Sequence, residues 1–76
     1  MTSSEIDNAI LAVAESHWSK VAMVIVRAAE RLGPDLPDGD AGYNLIGARI
    51  GALVATGRLA SQGDISKWRQ SEIRLR

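Results

Sequence analysis

Cysteine and phenylalanine are absent from this 76-residue chain, and histidine occurs only once. The absence of cysteine excludes disulfide bonds, thiolate metal ligands and cysteine nucleophiles. The core must therefore be built from Ile, Leu, Val and Ala, with Trp18, Tyr43 and Trp68 as the large rings. No apolar run approaches the roughly 20 residues that cross a bilayer, and the first residues lack the basic-then-apolar order of a secretory signal. We expect one soluble, cytoplasmic domain over residues 1–76, with no membrane segment.

Acidic and basic side chains balance, nine against nine, but they are unevenly distributed. Residues 1–40 hold three basic and seven acidic side chains, a net charge of −4. Residues 41–76 hold six basic and two acidic side chains, a net charge of +4. Halves of opposite sign either neutralise each other in the fold or leave one basic face. Mutual neutralisation is favoured, because charged side chains are usually just the solvated surface of a domain.

The first half of the chain contains two segments with the apolar period of an amphipathic helix. The first helix is predicted over about 4–15, and Thr2 has the capping-box spacing with Glu5 at its start. The second is predicted over about 20–32, with Ser19 as its N-cap. A glycine followed by a proline then gives a strong stop signal.

A third helix is predicted over about 40–56, after a loop that holds both prolines of the chain. Asp38 or Asp40 is the expected N-cap, since short acidic side chains accept hydrogen bonds from the first N–H groups of a helix. Gly47 and Gly51 each lower helix propensity by about 1 kcal/mol. We expect the close approach of a neighbouring helix to be the reason for them. The predicted buried stripe consists of Tyr43, Ile46, Ile50, Leu53 and Val54.

After the third helix the apolar period changes from that of a helix to two residues, which is typical of strands. A β-hairpin is predicted, with strands over about 58–62 and 69–75. The stretch from His17 to Ser19 is expected to add a third, brief strand, with Trp18 largely buried. This order gives an α+β, winged-helix-like domain. The residues expected to pack the hairpin on the helices are Leu59, Ile73 and Leu75.

Three stretches carry a resemblance to a known family. They are the tryptophan-containing run from His17 to Ala22, the loop from Leu36 to Gly39, and the C-terminal segment from Ala55 to Leu75. On these stretches the sequence resembles an uncharacterised bacterial family of small domains of unknown function. The resemblance implies the same helix-plus-hairpin fold, in a unit that is often the C-terminal part of a longer protein. It implies no activity.

The chain shows no pattern of an enzyme, a metal site or a cofactor site. Catalytic histidines work with a nucleophile and an orienting group, and His17 has no such constellation in the sequence. The acidic loop from Asp35 to Asp40 lacks the ligand spacing of a calcium loop. No glycine-rich phosphate loop is present. We therefore expect a non-enzymatic domain without catalytic residues, metal ligands or cofactors.

Two functions remain after these exclusions. The leading hypothesis is a protein-interaction or accessory module, which binds a partner protein or a second copy of itself. The flank of Leu45, Ala48 and Ala52 is either an exposed apolar patch for such a partner or a face packed on the other helices. Whether Trp68 is buried or exposed is left open. The candidate contact residues, for a protein or for nucleic acid, are Arg49, Lys67, Trp68, Arg69 and Arg74.

The alternative hypothesis is a DNA-binding transcriptional regulator that uses the basic C-terminal hairpin. A winged helix commonly places its third helix in the major groove and its hairpin near the backbone, where basic side chains meet phosphates and an aromatic ring can stack. However, Asp35, Asp38 and Asp40 precede or begin the third helix and would be repelled by phosphates. The zero net charge also differs from that of a typical DNA-binding domain.

Overall fold

The computed structural model describes all residues, 1–76, and contains three helices and one three-stranded antiparallel sheet, which confirms the α+β class. A short 3₁₀ turn, Gly33–Asp35, follows the second helix. The predicted bounds hold to within two residues, except that the last strand begins at Glu72 and not at residue 69. The elements are α1 (Ser3–Val13), β1 (Ser19–Lys20), α2 (Val21–Leu32), α3 (Asp40–Ala55), β2 (Leu59–Gln62) and β3 (Glu72–Leu75).

Helix α1 begins with the predicted capping box. The backbone N–H of Glu5 donates to the hydroxyl of Thr2 over 3.2 Å, and the backbone N–H of Thr2 donates to the Glu5 carboxylate over 3.2 Å. These reciprocal bonds satisfy N–H groups that have no partner inside the helix. The helix buries Ile6, Ala9 and Ile10.

Helix α2 begins without a side-chain cap, so the prediction for Ser19 is wrong. The N–H groups of Val21 and Ala22 donate instead to the backbone carbonyls of Ser71 and Trp68, each over 3.0 Å. A loop from the other end of the chain therefore satisfies the first donors of the helix. Ser19 itself lies in β1.

Helix α3 also begins without a side-chain cap, which corrects the expectation for Asp38 and Asp40. The N-cap is Gly39, whose φ of 65° lies in the left-handed region that glycine adopts freely. Asp40 is the first helical residue, where its carboxylate is favourable to the helix dipole. Gly42, two residues later, is buried beneath the backbone of Pro37.

The sheet has the order β1–β3–β2, so the last strand of the chain lies in the middle. Ile73 faces Ser19 on one side and Ser61 on the other. The third strand expected near His17 is present, although it covers Ser19–Lys20. β1 and β2 are thus both edges of a small sheet whose inner face closes the helical core.

One cluster of apolar side chains joins the helices to the sheet. Leu59 and Ile73, with exposures of 0% and 1%, contribute from the hairpin as predicted, while Leu75 is half-buried at its end. Tyr43 is 37% exposed, so its predicted burial is wrong. The buried apolar residues are Ile6, Ala9, Ile10, Ala14, Val21, Val24, Ile25, Ala28, Leu36, Ile46, Ile50, Leu53, Leu59 and Ile73.

None of the three helices combines the length and the hydropathy that are needed to cross a bilayer.

Candidate interaction surface

The loop between β2 and β3, residues 63–71, folds back onto α3. The Trp68 indole lies against Gly47, where a Cβ atom would come within 2.8 Å of the ring atom Cζ2. Ile65 lies beside Gly51, with 3.9 Å between its Cδ1 atom and the position of a Cβ. The glycines of α3 therefore admit a loop, and the expectation of a neighbouring helix at this place is wrong. Trp68 is half-buried and packs against the core.

Hydrogen bonds within this loop hold the Trp68 backbone in place. The Asp64 carboxylate accepts from the Ser66 hydroxyl over 2.7 Å and from its backbone N–H over 3.0 Å. The hydroxyl bond, aided by the backbone one, lowers the pKa of Asp64. Ser71, which is 1% exposed, donates its hydroxyl to the carbonyl of Lys67 over 2.8 Å. The segment is a defined turn, and residues 69–71 are consequently not part of the predicted strand.

Beside Trp68, the first two turns of α2 and the first turn of α3 enclose a cleft of about 310 Å³, here called the Trp68 cleft. Two of its residues, Val26 and Tyr43, are large apolar side chains with exposures of 40% and 37%. Met23, three residues before Val26 on α2, is 49% exposed. Two of the five exposed large apolar side chains thus line this cleft, and a third lies one helical turn away on α2. The cleft is lined by Ala22, Ile25, Val26, Asp40, Tyr43, Trp68 and Arg69.

Opposite charges share the Trp68 cleft without forming an ion pair. Asp40 and Arg69 both line the cleft and are both exposed. The one ion pair between Arg or Lys and a carboxylate is Arg49 with Asp7, and at the surface His17 contacts Glu15. The carboxylate of Asp40 and the guanidinium of Arg69 therefore remain free to meet charges on another molecule.

Arg49 is occupied within the domain and is not the free contact that the sequence suggested. Its Nε atom donates to Oδ1 of Asp7 over 2.8 Å, and its Nη2 atom donates to Oδ2 over 2.9 Å. This two-pronged contact lowers the pKa of the Asp7 carboxyl. The pair joins α3 to α1, across 42 positions of the sequence.

Arg74 lies on the sheet, away from the Trp68 cleft. Its guanidinium carbon is 4.9 Å from the centre of the Trp18 ring, which is the geometry of a cation–π contact. Trp18 is half-buried and not largely buried as predicted. Of the predicted contact residues, Lys67, Trp68 and Arg69 lie together.

The sequence alone did not identify the residues of α2 and α3 that line the Trp68 cleft. Val26 and Tyr43 come from two different helices and are joined only by the fold. One signal was available, since Met23 and Val26 are apolar residues outside the buried stripe of α2. Asp40 is predicted from the sequence to cap α3 and to repel phosphates, but not to line a contact surface.

Beyond Asp40, the exposed residues of α3 carry no charge. Of the two interpretations of the flank of Leu45, Ala48 and Ala52, exposure holds for Leu45, which is 43% exposed, and for Ala48, whereas Ala52 is half-buried. No group of three or more His, Asp or Glu side chains is placed to hold a metal ion.

No family model, curated protein or solved structure matches this chain. The resemblance to an uncharacterised bacterial family stays a prediction.

Replacing Gly47 by alanine is expected to displace the Trp68 indole, because the new methyl group would overlap the ring. The gain in helix propensity, about 1 kcal/mol, offsets part of the lost contact, so we expect only a small change in the free energy of unfolding. The indole N–H resonance of Trp68 should shift in a ¹H–¹⁵N spectrum, with Trp68→Phe as the assignment control. An unshifted resonance would contradict the packing of Trp68 on α3.

Proposed function

We propose that the domain is a non-enzymatic protein-interaction module and that the Trp68 cleft is its contact surface. The observation that carries the proposal is an exposed apolar cleft in which Asp40 and Arg69 lie unpaired. Protein interfaces combine apolar and aromatic centres with a polar rim of this kind. A nucleic acid backbone would be attracted by Arg69 and repelled by Asp40 at the same place.

The position of the only histidine supports a non-enzymatic role. The side chain of His17 is 71% exposed and contacts the carboxylate of Glu15 at the surface. The Trp68 cleft contains no histidine, serine or threonine. Its one carboxylate, Asp40, forms no ion pair. It therefore lacks the paired acid or base that catalysis by proton transfer would need.

We further propose that the fold is winged-helix-like, and this makes DNA binding the second candidate. The element order α1, β1, α2, α3, β2, β3 and the central position of β3 support the fold. The exposed Lys67 and Arg69 in the β2–β3 loop favour DNA. Against it, Arg49 is neutralised by Asp7, and the outward face of α3 carries no free cation. Fold similarity alone would not assign this function.

A photo-crosslinking residue at position 26 tests the interaction proposal. Expressed in the cells that naturally produce the protein, the Val26 variant should yield a discrete protein adduct. The matched control places the same residue at Arg31, an exposed position of α2 outside the cleft. Equal labelling from both positions, or none from position 26, would contradict the proposal.

A gel shift with duplex DNA tests the second candidate on the same protein. We expect no band shift at low salt. A shift that weakens steeply as salt rises, and that is lost in the Arg69→Ala/Arg74→Ala double variant, would instead support DNA binding through the hairpin.

A further inference from the structure

We propose that the protein binds a second copy of itself, with the two Trp68 cleft regions facing each other across a twofold axis. This inference rests on the proposed function and adds the identity of the partner. In a twofold dimer the same surface is used by both copies, so it must be complementary to itself. The charges and the apolar side chains at the Trp68 cleft both meet this requirement.

The charges at the cleft are self-complementary. Asp40 is supplied by the first turn of α3 and Arg69 by the β2–β3 loop, and they are not paired with each other. A twofold rotation exchanges the two copies and can set Asp40 of each copy opposite Arg69 of the other. Complementary charges at a rim fix the register of two proteins and speed their association. The zero net charge of the chain adds no overall repulsion between copies.

An exposed apolar side chain, Met23, is available to fill the cleft of the second copy. Met23 is 49% exposed and lies one helical turn from Val26, so the two side chains are neighbours on α2. Methionine is flexible and fills irregular apolar gaps. The cleft, of about 310 Å³, has room for such a side chain beside Trp68 and Tyr43. In the proposed dimer, Met23 of each copy inserts into the cleft of the other.

Another exposed apolar residue, Leu45, does not line the cleft that contains Asp40 and Arg69. It is 43% exposed on α3 but lies outside the Trp68 cleft. It therefore serves as a matched control for apolar surface without the cleft.

The expected dimer is weak. A standard stable interface covers roughly 800 Å² and about 20–30 residues of each partner, whereas the Trp68 cleft is lined by seven residues. We expect the dissociation constant to lie in the range of about 10 μM to 1 mM, at the transient end of protein interfaces.

Sedimentation equilibrium tests the proposal, at protein concentrations that cover the expected range of the dissociation constant. The average mass of the wild type should rise from the 8.1 kDa of one chain towards twice that value. Asp40→Arg places two cations opposite each other, and Arg69→Asp places two anions opposite each other. Each variant alone should therefore remain monomeric. An equimolar mixture of the two should recover the rise in mass, because unlike charges again face each other.

Met23→Ala should weaken self-association at least tenfold, whereas Leu45→Ala and the distant charge reversal Arg76→Asp should leave it unchanged. Far-UV circular dichroism of each variant is the control for folding. A wild type that stays at 8.1 kDa throughout, a mixture that stays monomeric, or an effect of Leu45→Ala equal to that of Met23→Ala would overturn the proposed dimer. If the dimer fails while the crosslinker at Val26 captures a different protein, the interaction function stands and only the identity of the partner is wrong.

Discussion

Replacing Ile73 by alanine is expected to lower the free energy of unfolding by about 2–5 kcal/mol. Ile73 is 1% exposed and lies in the central strand, where it is paired on both sides and packs into the helical core. Its truncation removes buried apolar surface and leaves a cavity beneath the sheet. Small domains bury a limited fraction of their surface and have modest stability. A large part of the protein should therefore be unfolded at low urea concentrations, as measured by circular dichroism.

Substitutions at two other positions near the end of the chain serve as controls for the effect of Ile73→Ala on stability. Leu75→Ala truncates a half-buried side chain in the same strand and should cost clearly less than Ile73→Ala. Arg76→Ala changes an exposed residue after the strand and should stay within about 0.5 kcal/mol of the wild type. Equal losses at Ile73 and Leu75 would mean that the hairpin does not close the core in the way its burial indicates.

The features that could be predicted from the sequence depend on residues close together in the chain. The capping box of Thr2 and Glu5 spans three positions, and the helix stop at Gly33 needs only the following proline. The alternation near Ile73 identified an inward-facing strand because each side chain points to the opposite face from its neighbour. These signals determined the α+β class and nearly all the element bounds.

The features that the sequence did not reveal depend on groups far apart in the chain. The first donors of α2 are satisfied by the carbonyl groups of Trp68 and Ser71, so the helix needs no local cap and Ser19 does not act as one. Arg49 pairs with Asp7, which lies 42 positions away in the chain. Local periodicity contains no information about such partners.

The Trp68 cleft also depends on residues far apart in the chain, from α2, α3 and the β2–β3 loop. Of its residues, Trp68 and Arg69 were expected to make contacts because they are aromatic and basic residues of a hairpin. The sequence places Tyr43 in the core because it has the helical spacing of the buried stripe that continues at Ile46 and Ile50. Its exposure follows from the β2–β3 loop, which covers α3 at Gly47 and leaves the first turn of the helix beside an open cleft.

Replacing Gly42 by alanine is expected to destabilise the fold by about 2 kcal/mol or more. A Cβ atom at this position would overlap the backbone carbonyl oxygen of Pro37 and come within 2.9 Å of Cγ of Leu36. The carbonyl belongs to the main chain, so the whole loop before α3 must move to relieve the overlap. Leu36, which is 9% exposed, would then lose its place in the core. The gain in helix propensity, about 1 kcal/mol, is too small to offset this loss.

Gly51→Ala is the matched control, because it makes the same chemical change in the same helix. Its Cβ would meet only Cδ1 of Ile65, at the ordinary contact distance of 3.9 Å. We therefore expect it to raise the free energy of unfolding by up to about 1 kcal/mol. Urea unfolding of Gly42→Ala and Gly51→Ala should move in opposite directions from the wild type. If both variants were stabilised, the loop that carries Leu36 would not be packed against α3, and the placement of the first turn of the helix beside the Trp68 cleft would be wrong as well.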